Sequence, residues 1–413
     1  MDAPCTGGTP KNLRMAVAWA AFGHAARDET VVSAENFHDN SEKLPKLFDI
    51  IKPGECVMDF GFVFMGSCQV TPQVKHAEDR GYSHGWLYDS QMLGSEVYAS
   101  LALCAAGTNK IILGPGVTNP KSRIAPLTAC GMATINQIAP GRAVLGIGTG
   151  NTTRRTLGMP AAKLEELREH IEVCQGLFKD EVTDYSEGKR HRKIKFLNPD
   201  MGYINIQDHI PIYIAASGPK VAQMAGEIAD GVILFGAVHP SIVKWMVDNV
   251  KEGARRAGRD PESIYILSMT AFYLTQHAKD IETHAVREAV GPMVASSSNI
   301  FALSTHHDPD LLPADLRDEI IAFNNVYKDP ESPIETRHLK LYSGYLQKLR
   351  PEHEALMTEK IMRATTLVGT KEEIIESIRQ MQAAGVHQVA VQPILDADET
   401  IDQFANEIMP AFR

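Results

Sequence analysis

The sequence predicts an α/β protein, a closed (β/α)8 barrel with an N-terminal arm and a long insertion before the eighth strand. Three observations predict it. Short apolar, β-branched runs alternate with helical periods, and eight such runs can be counted along the chain. The stretch Pro211-Ile-Tyr-Ile-Ala-Ala-Ser-Gly-Pro-Lys220, continued by Asp230-Gly-Val-Ile-Leu-Phe235, spells one βαβ unit in full. It holds a buried strand, a Ser-Gly-Pro turn, a helix opening at Lys220 and a second buried strand. Finally, eight strands exceed the usual number in an open doubly wound sheet, the main rival architecture.

The strand candidates are residues 58–65, 84–89, 110–117, 142–148, 211–216, 231–235, 264–274 and 387–392. Thr71-Pro72 reads as a cap followed by a first-turn proline, and Gly81 ends that helix. Residues 96–106 are alanine-rich and apolar and read as a helix. Leu164, Leu167, Ile171, Cys174 and Phe178 keep a helical period. Thr370 with Glu373 forms a capping box ahead of Ile374, Ile375, Ile378 and Met381, and Gly385 closes the helix. Two connections are too long for simple crossovers. Residues 180–209 are polar and read as a hairpin-like excursion, and residues 276–363 as lid or substrate loops. Residues 1–57 fit no βα unit and read as an arm; 58–413 form the barrel.

The 413 residues carry a net charge of −10, 44% apolar and 22% charged side chains. That balance is ordinary for a soluble protein, and without a Lys/Arg cluster it gives no sign of a nucleic-acid partner. No apolar run is long enough to cross a bilayer, and residues 15–22 read as an ordinary helix, not a signal segment. The six cysteines are scattered without a C-x-x-C pair, which points to free thiols in a reducing, cytoplasmic setting and to no metal site. His306 and His307 are adjacent, so in an extended segment they face opposite ways and share no metal. The Ser217-Gly218 turn places backbone N–H groups and a helix N-terminus at the carboxyl end of a strand, where an anionic cofactor group can be held. Gly146-Ile-Gly-Thr-Gly150 lacks the spacing of a nicotinamide fingerprint.

Five segments together resemble the bacterial-luciferase-like flavin-dependent oxidoreductases. They are Trp86-Leu-Tyr-Asp-Ser-Gln91, Leu113-Gly-Pro-Gly-Val-Thr-Asn-Pro120, Gly141-Arg-Ala-Val-Leu-Gly-Ile-Gly-Thr-Gly150, the stretch 212–235, and Val368-Gly-Thr-Lys-Glu-Glu373. The likeness spans roughly residues 58–275 and 364–411, in family order; 1–57 and 276–363 lie outside it. It implies a TIM barrel holding a flavin, or the related deazaflavin, across the carboxyl ends of its strands, with a non-prolyl cis peptide at Gly116-Val117. The resemblance further implies that Asp89, Gly116, Val117, Thr149, Asn151, Ala216, Ser217 and Gly218 contact the cofactor, and that Arg168 reaches its phosphate. Read from its neighbours alone, Arg168 is equally a helix-surface ion pair with Glu165 and Glu172. Ser90 stands where many members carry a histidine that some of them use in catalysis. Asn151 stands where sugar-phosphate-oxidising deazaflavin relatives place a catalytic Glu, and an amide cannot serve as a general base. Ser90 and His338 are the candidate catalytic groups.

The activity expected from this resemblance is an FMN-dependent monooxygenase. It would take reduced FMN from a separate NAD(P)H:flavin reductase, use O2 to oxygenate a small organic substrate, and work as a homodimer or homotetramer. The alternative is a deazaflavin (coenzyme F420)-dependent hydride-transfer enzyme, since Gly114-Pro-Gly-Val-Thr-Asn-Pro120 also resembles methylenetetrahydromethanopterin reductases. A second alternative is a non-catalytic flavin-binding protein.

Overall fold

The computed structural model describes residues 58–413 apart from 306, 307, 309, 311 and 394. The expected arm at 1–57 and the adjacent histidines lie outside the described residues. The first half of the barrel runs β1 (Asp59–Met65), α1 (Thr71–Asp79), β2 (His84–Tyr88), α2 (Val97–Gly107), β3 (Ile112–Pro115), α3 (Ala125–Ile138) and β4 (Leu145–Ile147). Helices α4 (Asn151–Arg155) and α5 (Leu164–Phe178) follow, then a hairpin of β5 (Thr183–Glu187) and β6 (Arg190–Ile194). The second half begins with β7 (Ile212–Ala216), α6 (Pro219–Ile228), β8 (Gly231–Phe235), α7 (Pro240–Arg256) and β9 (Tyr265–Leu274). The insertion carries α8 (His284–Ser304), α9 (Arg317–Lys328), α10 (Arg337–Leu341), α11 (Pro351–Glu354) and α12 (Glu359–Thr365). The chain closes with β10 (Leu367–Gly369), α13 (Lys371–Ala383), β11 (Gln388–Gln392) and α14 (Ala397–Glu407).

Eight parallel strands form the barrel wall in the order β3-β2-β1-β11-β9-β8-β7-β4. The ring closes between β3 and β4 through the parallel bridges Leu113–Ala143 and Thr118–Ile147. Each predicted strand is present. The short β10, paired with β9, was not predicted; three residues are too few to show an alternation. The polar excursion is the antiparallel β5–β6 hairpin. The described residues, insertion included, make one compact unit.

Two local readings change. Helix α1 is preceded by Val70, which makes no side-chain cap, so Thr71 is its first residue with Pro72 next to it. Residues 276–363, read as loops, fold largely into helices. Their longest, α8, contains Pro292 and the small residues Ser296-Ser297-Ser298, which weaken any apolar period. The capping box at Thr370 and Glu373 is made from both sides.

Inside the barrel, toward the amino ends of the strands, a polar ladder fills the centre. Trp86 Nε1 donates to Gln388 Oε1 at 3.0 Å, Gln388 Nε2 to Tyr265 Oη at 3.2 Å, and Tyr265 Oη to Asp59 at 2.6 Å. Burial pushes His84, stacked on Trp86, down to about 3, so this floor is built from neutral rings. On the outside, α6 and α7 meet backbone to backbone at Gly226 and Gly253. Cys68, Cys104, Cys130 and Cys174 are free thiols. No helix among the described residues is long and apolar enough to cross a membrane.

Candidate functional site

Because all eight strands are parallel, their carboxyl ends open on one face, and the loops leaving them can converge there. At the end of β2, Asp89 is buried, 3% exposed. It accepts from Thr118 Oγ1 at 2.7 Å and from Arg123 at 2.7 Å. Thr153 of α4 donates to the Asp89 carbonyl, and Arg123 lies 4.6 Å over the Tyr98 ring. The ends of β2, β3 and β4 are thereby tied into one polar rim. Ser90, also buried, turns the chain back by accepting from the N–H groups of Leu93 and Gly94 at 2.8 and 3.0 Å.

The peptide bond Gly116-Val117 is cis. It follows β3 where the wall is tightest. A Cβ on Gly114 would lie 2.2 Å from the Val144 carbonyl, and one on Gly146 would lie 2.1 Å from the Pro115 carbonyl. Glycine is therefore required on both strands for them to approach.

After β4, Thr149 accepts from the Ala162 N–H at 2.8 Å, and Gly150 takes the left-handed conformation, φ +84°, that starts α4. Asn151 accepts through Oδ1 from Arg155 Nε at 2.8 Å. That bond fixes the amide, and its buried Nδ2 is left without a partner. Across the barrel, Ala216, Ser217 and Gly218 lead into α6, which has Pro219 in its first turn and no side-chain cap. A Cβ on Gly218 would come 3.1 Å from the Ser304 carbonyl, so the end of α8 rests on this turn. At the end of β8, Gly236 has φ +60°, and a Cβ there would fall 1.8 Å from Ser297 Oγ, a fully buried hydroxyl with no partner.

The insertion roofs this face. Gln392 of β11 donates to the Leu346 carbonyl at 3.1 Å and receives the Tyr88 hydroxyl. Tyr345 meets Ser296 Oγ of α8 and also Thr152 of α4. Burial pushes the phenols of Tyr88, Tyr342 and Tyr345 up, so all three stay protonated, as neutral hydroxyls. Between α4, its following loop and α8, α9 and α10 lies a cavity of about 650 Å3. His338 is in its wall, packed against Gly158, and Arg155 connects it to Asn151.

The structure thus gathers Asp89, Ser90, Gly116, Val117, Thr149, Asn151, Ala216, Ser217 and Gly218 at the strand carboxyl ends or just after them, whereas His338 lies in the wall of the insertion cavity, which none of those nine lines. Arg168 lies between α5 and α6, where it pairs with Glu227 and stands 3.8 Å from Glu172. Glu165 instead faces Lys163 at 3.4 Å. Arg123, Arg155 and Tyr345 are the residues that sequence reasoning missed. For Arg123 there was a signal, because a buried Asp89 needs a cation. Tyr345 had none, since it lies in the insertion beyond the resemblance, and Arg155, although inside the resemblance, gains its meaning only from insertion residues that the fold brings opposite it.

The luciferase-like monooxygenase family model matches residues 69–388. A 5,10-methylenetetrahydromethanopterin reductase of Archaeoglobus fulgidus is 31% identical over 363 residues, covering 86% of this chain and 100% of the relative. Two solved structures share the fold. One is a coenzyme F420-dependent tetrahydromethanopterin reductase from Methanopyrus kandleri (24% identity, TM-score 0.63, 86% of this chain and 100% of that one). The other is an F420-dependent secondary alcohol dehydrogenase (18% identity, TM-score 0.60, 86% and 99%). These findings overturn the expected FMN-dependent monooxygenase: the relative matched along its whole length is a reductase by name. They favour instead the deazaflavin alternative, to which the resemblance of Gly114–Pro120 to methylenetetrahydromethanopterin reductases points.

Proposed function

This chain belongs to the luciferase-like monooxygenase family and is an oxidoreductase, and from that premise we propose that it is a deazaflavin-dependent enzyme exchanging a hydride between coenzyme F420 and an organic substrate. The observation that carries the reading is the 31% identity to a methylenetetrahydromethanopterin reductase along that protein's whole length. It makes a reduced pterin bearing a one-carbon unit the first substrate to test.

The residues present fit such a cofactor. Asn151 Nδ2 is a buried donor with no partner, at the end of β4 where a ring acceptor would satisfy it. Gly116 and Val117 would support the ring, Asp89 and Thr149 would border it, and Ala216, Ser217 and Gly218 would offer N–H groups to its phosphate. When bound, the deazaflavin supplies or accepts a hydride, and the protein's task is to orient the two reactants and keep water out. Tyr345 of the roof and Tyr88 and Gln392 at the strand ends below it line the face with hydroxyl and amide groups that stay neutral. Ser90 and His338 are our candidates to carry a proton. With Asn151 rather than a carboxylate after β4, sugar-phosphate oxidation is disfavoured.

Titrating the purified protein with F420 and with FMN tests the cofactor. The reading expects F420 to bind at least about tenfold tighter, equivalent to ~1.4 kcal/mol. Turnover of F420 with methylenetetrahydromethanopterin, and separately with a secondary alcohol, then tests the substrate. Tight FMN with no measurable F420 binding would sink the proposal.

A further inference from the structure

The chain holds 51 acidic and 41 basic residues, so a cavity of appreciable size should be lined with acids at least as often as with bases. The 650 Å3 cavity departs from this: Arg155, Lys328 and Arg337 line it, and no Asp or Glu does. All three cations are held by neutral acceptors. Arg155 Nε donates to Asn151 Oδ1 at 2.8 Å, Lys328 Nζ to Asn325 Oδ1 at 2.8 Å, and Arg337 to the Ser332 carbonyl at 3.3 and 2.9 Å. Among the described residues none of the three forms a direct ion pair; the nearby Asp329 is held by Lys340 at 3.1 Å and feels Arg337 only at longer range.

Three cations facing one concave space, with no carboxylate in its wall, raise its potential and favour the entry of an anion. Guanidinium forks suit carboxylate and phosphate oxygens, and the carboxamides of Asn299 and Asn324 add polar groups to the same wall. The volume is that of a site for a whole ligand arm, larger than one phosphate needs. Arg155 joins this space to Asn151, so an arm lodged here would extend from the barrel mouth.

We propose that this cavity binds a polyanionic arm, bearing phosphate or carboxylate groups, of one of the two reaction partners. The inference rests on the deazaflavin reading for the identity of those partners. The arm comes either from the phosphorylated side chain of the deazaflavin or from the substrate, and the chemistry that recognises it is the same.

The test compares wild type with Lys328→Gln/Arg337→Gln, both full length, by titration with inorganic pyrophosphate, with F420 and with the tail-less deazaflavin nucleoside. Pyrophosphate should bind the wild type and weaken at least about tenfold in the double variant, the loss expected for a charge-assisted hydrogen bond. If F420 weakens equally while the tail-less nucleoside does not, the arm belongs to the cofactor. If F420 is unchanged, it belongs to the substrate. Lys328→Arg/Arg337→Lys should restore binding, which separates charge from local folding. Absence of pyrophosphate binding by the wild type, or equal binding by all three proteins, overturns the proposal. If neither deazaflavin binds but pyrophosphate behaves as expected, the anion site stands and the deazaflavin reading falls.

Discussion

Asp89 and Arg123 meet at 2.7 Å at the mouth of the barrel, with side chains only 3% and 15% exposed. Thr118 holds the same carboxylate oxygen, and Arg123 also reaches Glu96 and covers Tyr98. One ion pair therefore fixes the loops after β2 and β3, including the chain around Gly116-Val117.

Removing one partner of a buried pair leaves the other charge uncompensated. Arg123→Met is expected to cost about 3 kcal/mol of stability. Adding Asp89→Asn to it should recover at least ~1 kcal/mol relative to the sum of the single changes, because the two residues act together. Denaturant unfolding of the four proteins of the cycle measures this. Additive losses would show that the two side chains are not coupled.

The contact between α6 and α7 predicts a sharp response to one added methyl group. A Cβ on Gly226 would lie 1.9 Å from the Val250 carbonyl, and one on Gly253 would lie 1.8 Å from the Gln223 carbonyl. Both obstacles are backbone and cannot rotate away. Gly226→Ala or Gly253→Ala should each cost about 2–3 kcal/mol, the range for overpacking. The double variant should lose less than the sum, since moving the helices apart relieves both contacts. Unfolding midpoints equal to wild type would refute the close approach.

Buried histidines set the acid limit of stability. Burial pushes His84 down to about 3 and His170 to about 4, from an ordinary value of 6.5. Their folded pKa values are depressed, so the unfolded chain takes up protons first as the pH falls below 6.5. Their stabilisation is whole above pH 6.5 and declines from there toward pH 4, by ~1.4 kcal/mol per pH unit for each fully titrating histidine. Asp59 works in the opposite sense, because burial raises its pKa and its share of stability falls as pH rises from 3.8. Unfolding free energies between pH 7 and 4 for wild type and His84→Gln should show a shallower acid limb in the variant. An unchanged slope would mean that His84 does not titrate on unfolding.

The barrel was legible because its strands are short apolar runs cut off by glycine, and because the 211–235 unit states the repeat openly. The insertion was not, because α8 has no exposed residue from Ala289 to Ser304. Ser296, Ser297, Ser298 and Asn299 are all buried on one helix, so polar sequence there marks interior, not loop. At the site, the Ser217-Gly218 turn could be read from its strand end, and Asp89 and the Gly116-Val117 bond through the family resemblance. Lys328 and Arg337 could not, since only the fold brings them opposite Arg155, more than 170 positions away. The cofactor was misread because residues that cradle a ring respond to its shape, which flavin and deazaflavin share.

Arg168 carries the last prediction. The resemblance assigns it to the cofactor phosphate, whereas its guanidinium is paired with Glu227 on α6 and lies near Glu172. Glu227 also takes Arg256, so Arg168 is one arm of a partly exposed three-charge cluster joining α5, α6 and α7. For such a cluster the expected cost of Arg168→Ala is at most about 1 kcal/mol of stability. The dissociation constants of F420 and of the tail-less deazaflavin should then shift together or not at all. A phosphate contact predicts otherwise: F420 alone would weaken by one to two orders of magnitude, about 1.5–3 kcal/mol, and the nucleoside would be spared. Titrating both ligands against wild type and variant, with a melting curve for each protein, separates the two. A selective loss for F420 would return Arg168 to the phosphate site and require Glu227 to give way when the cofactor binds.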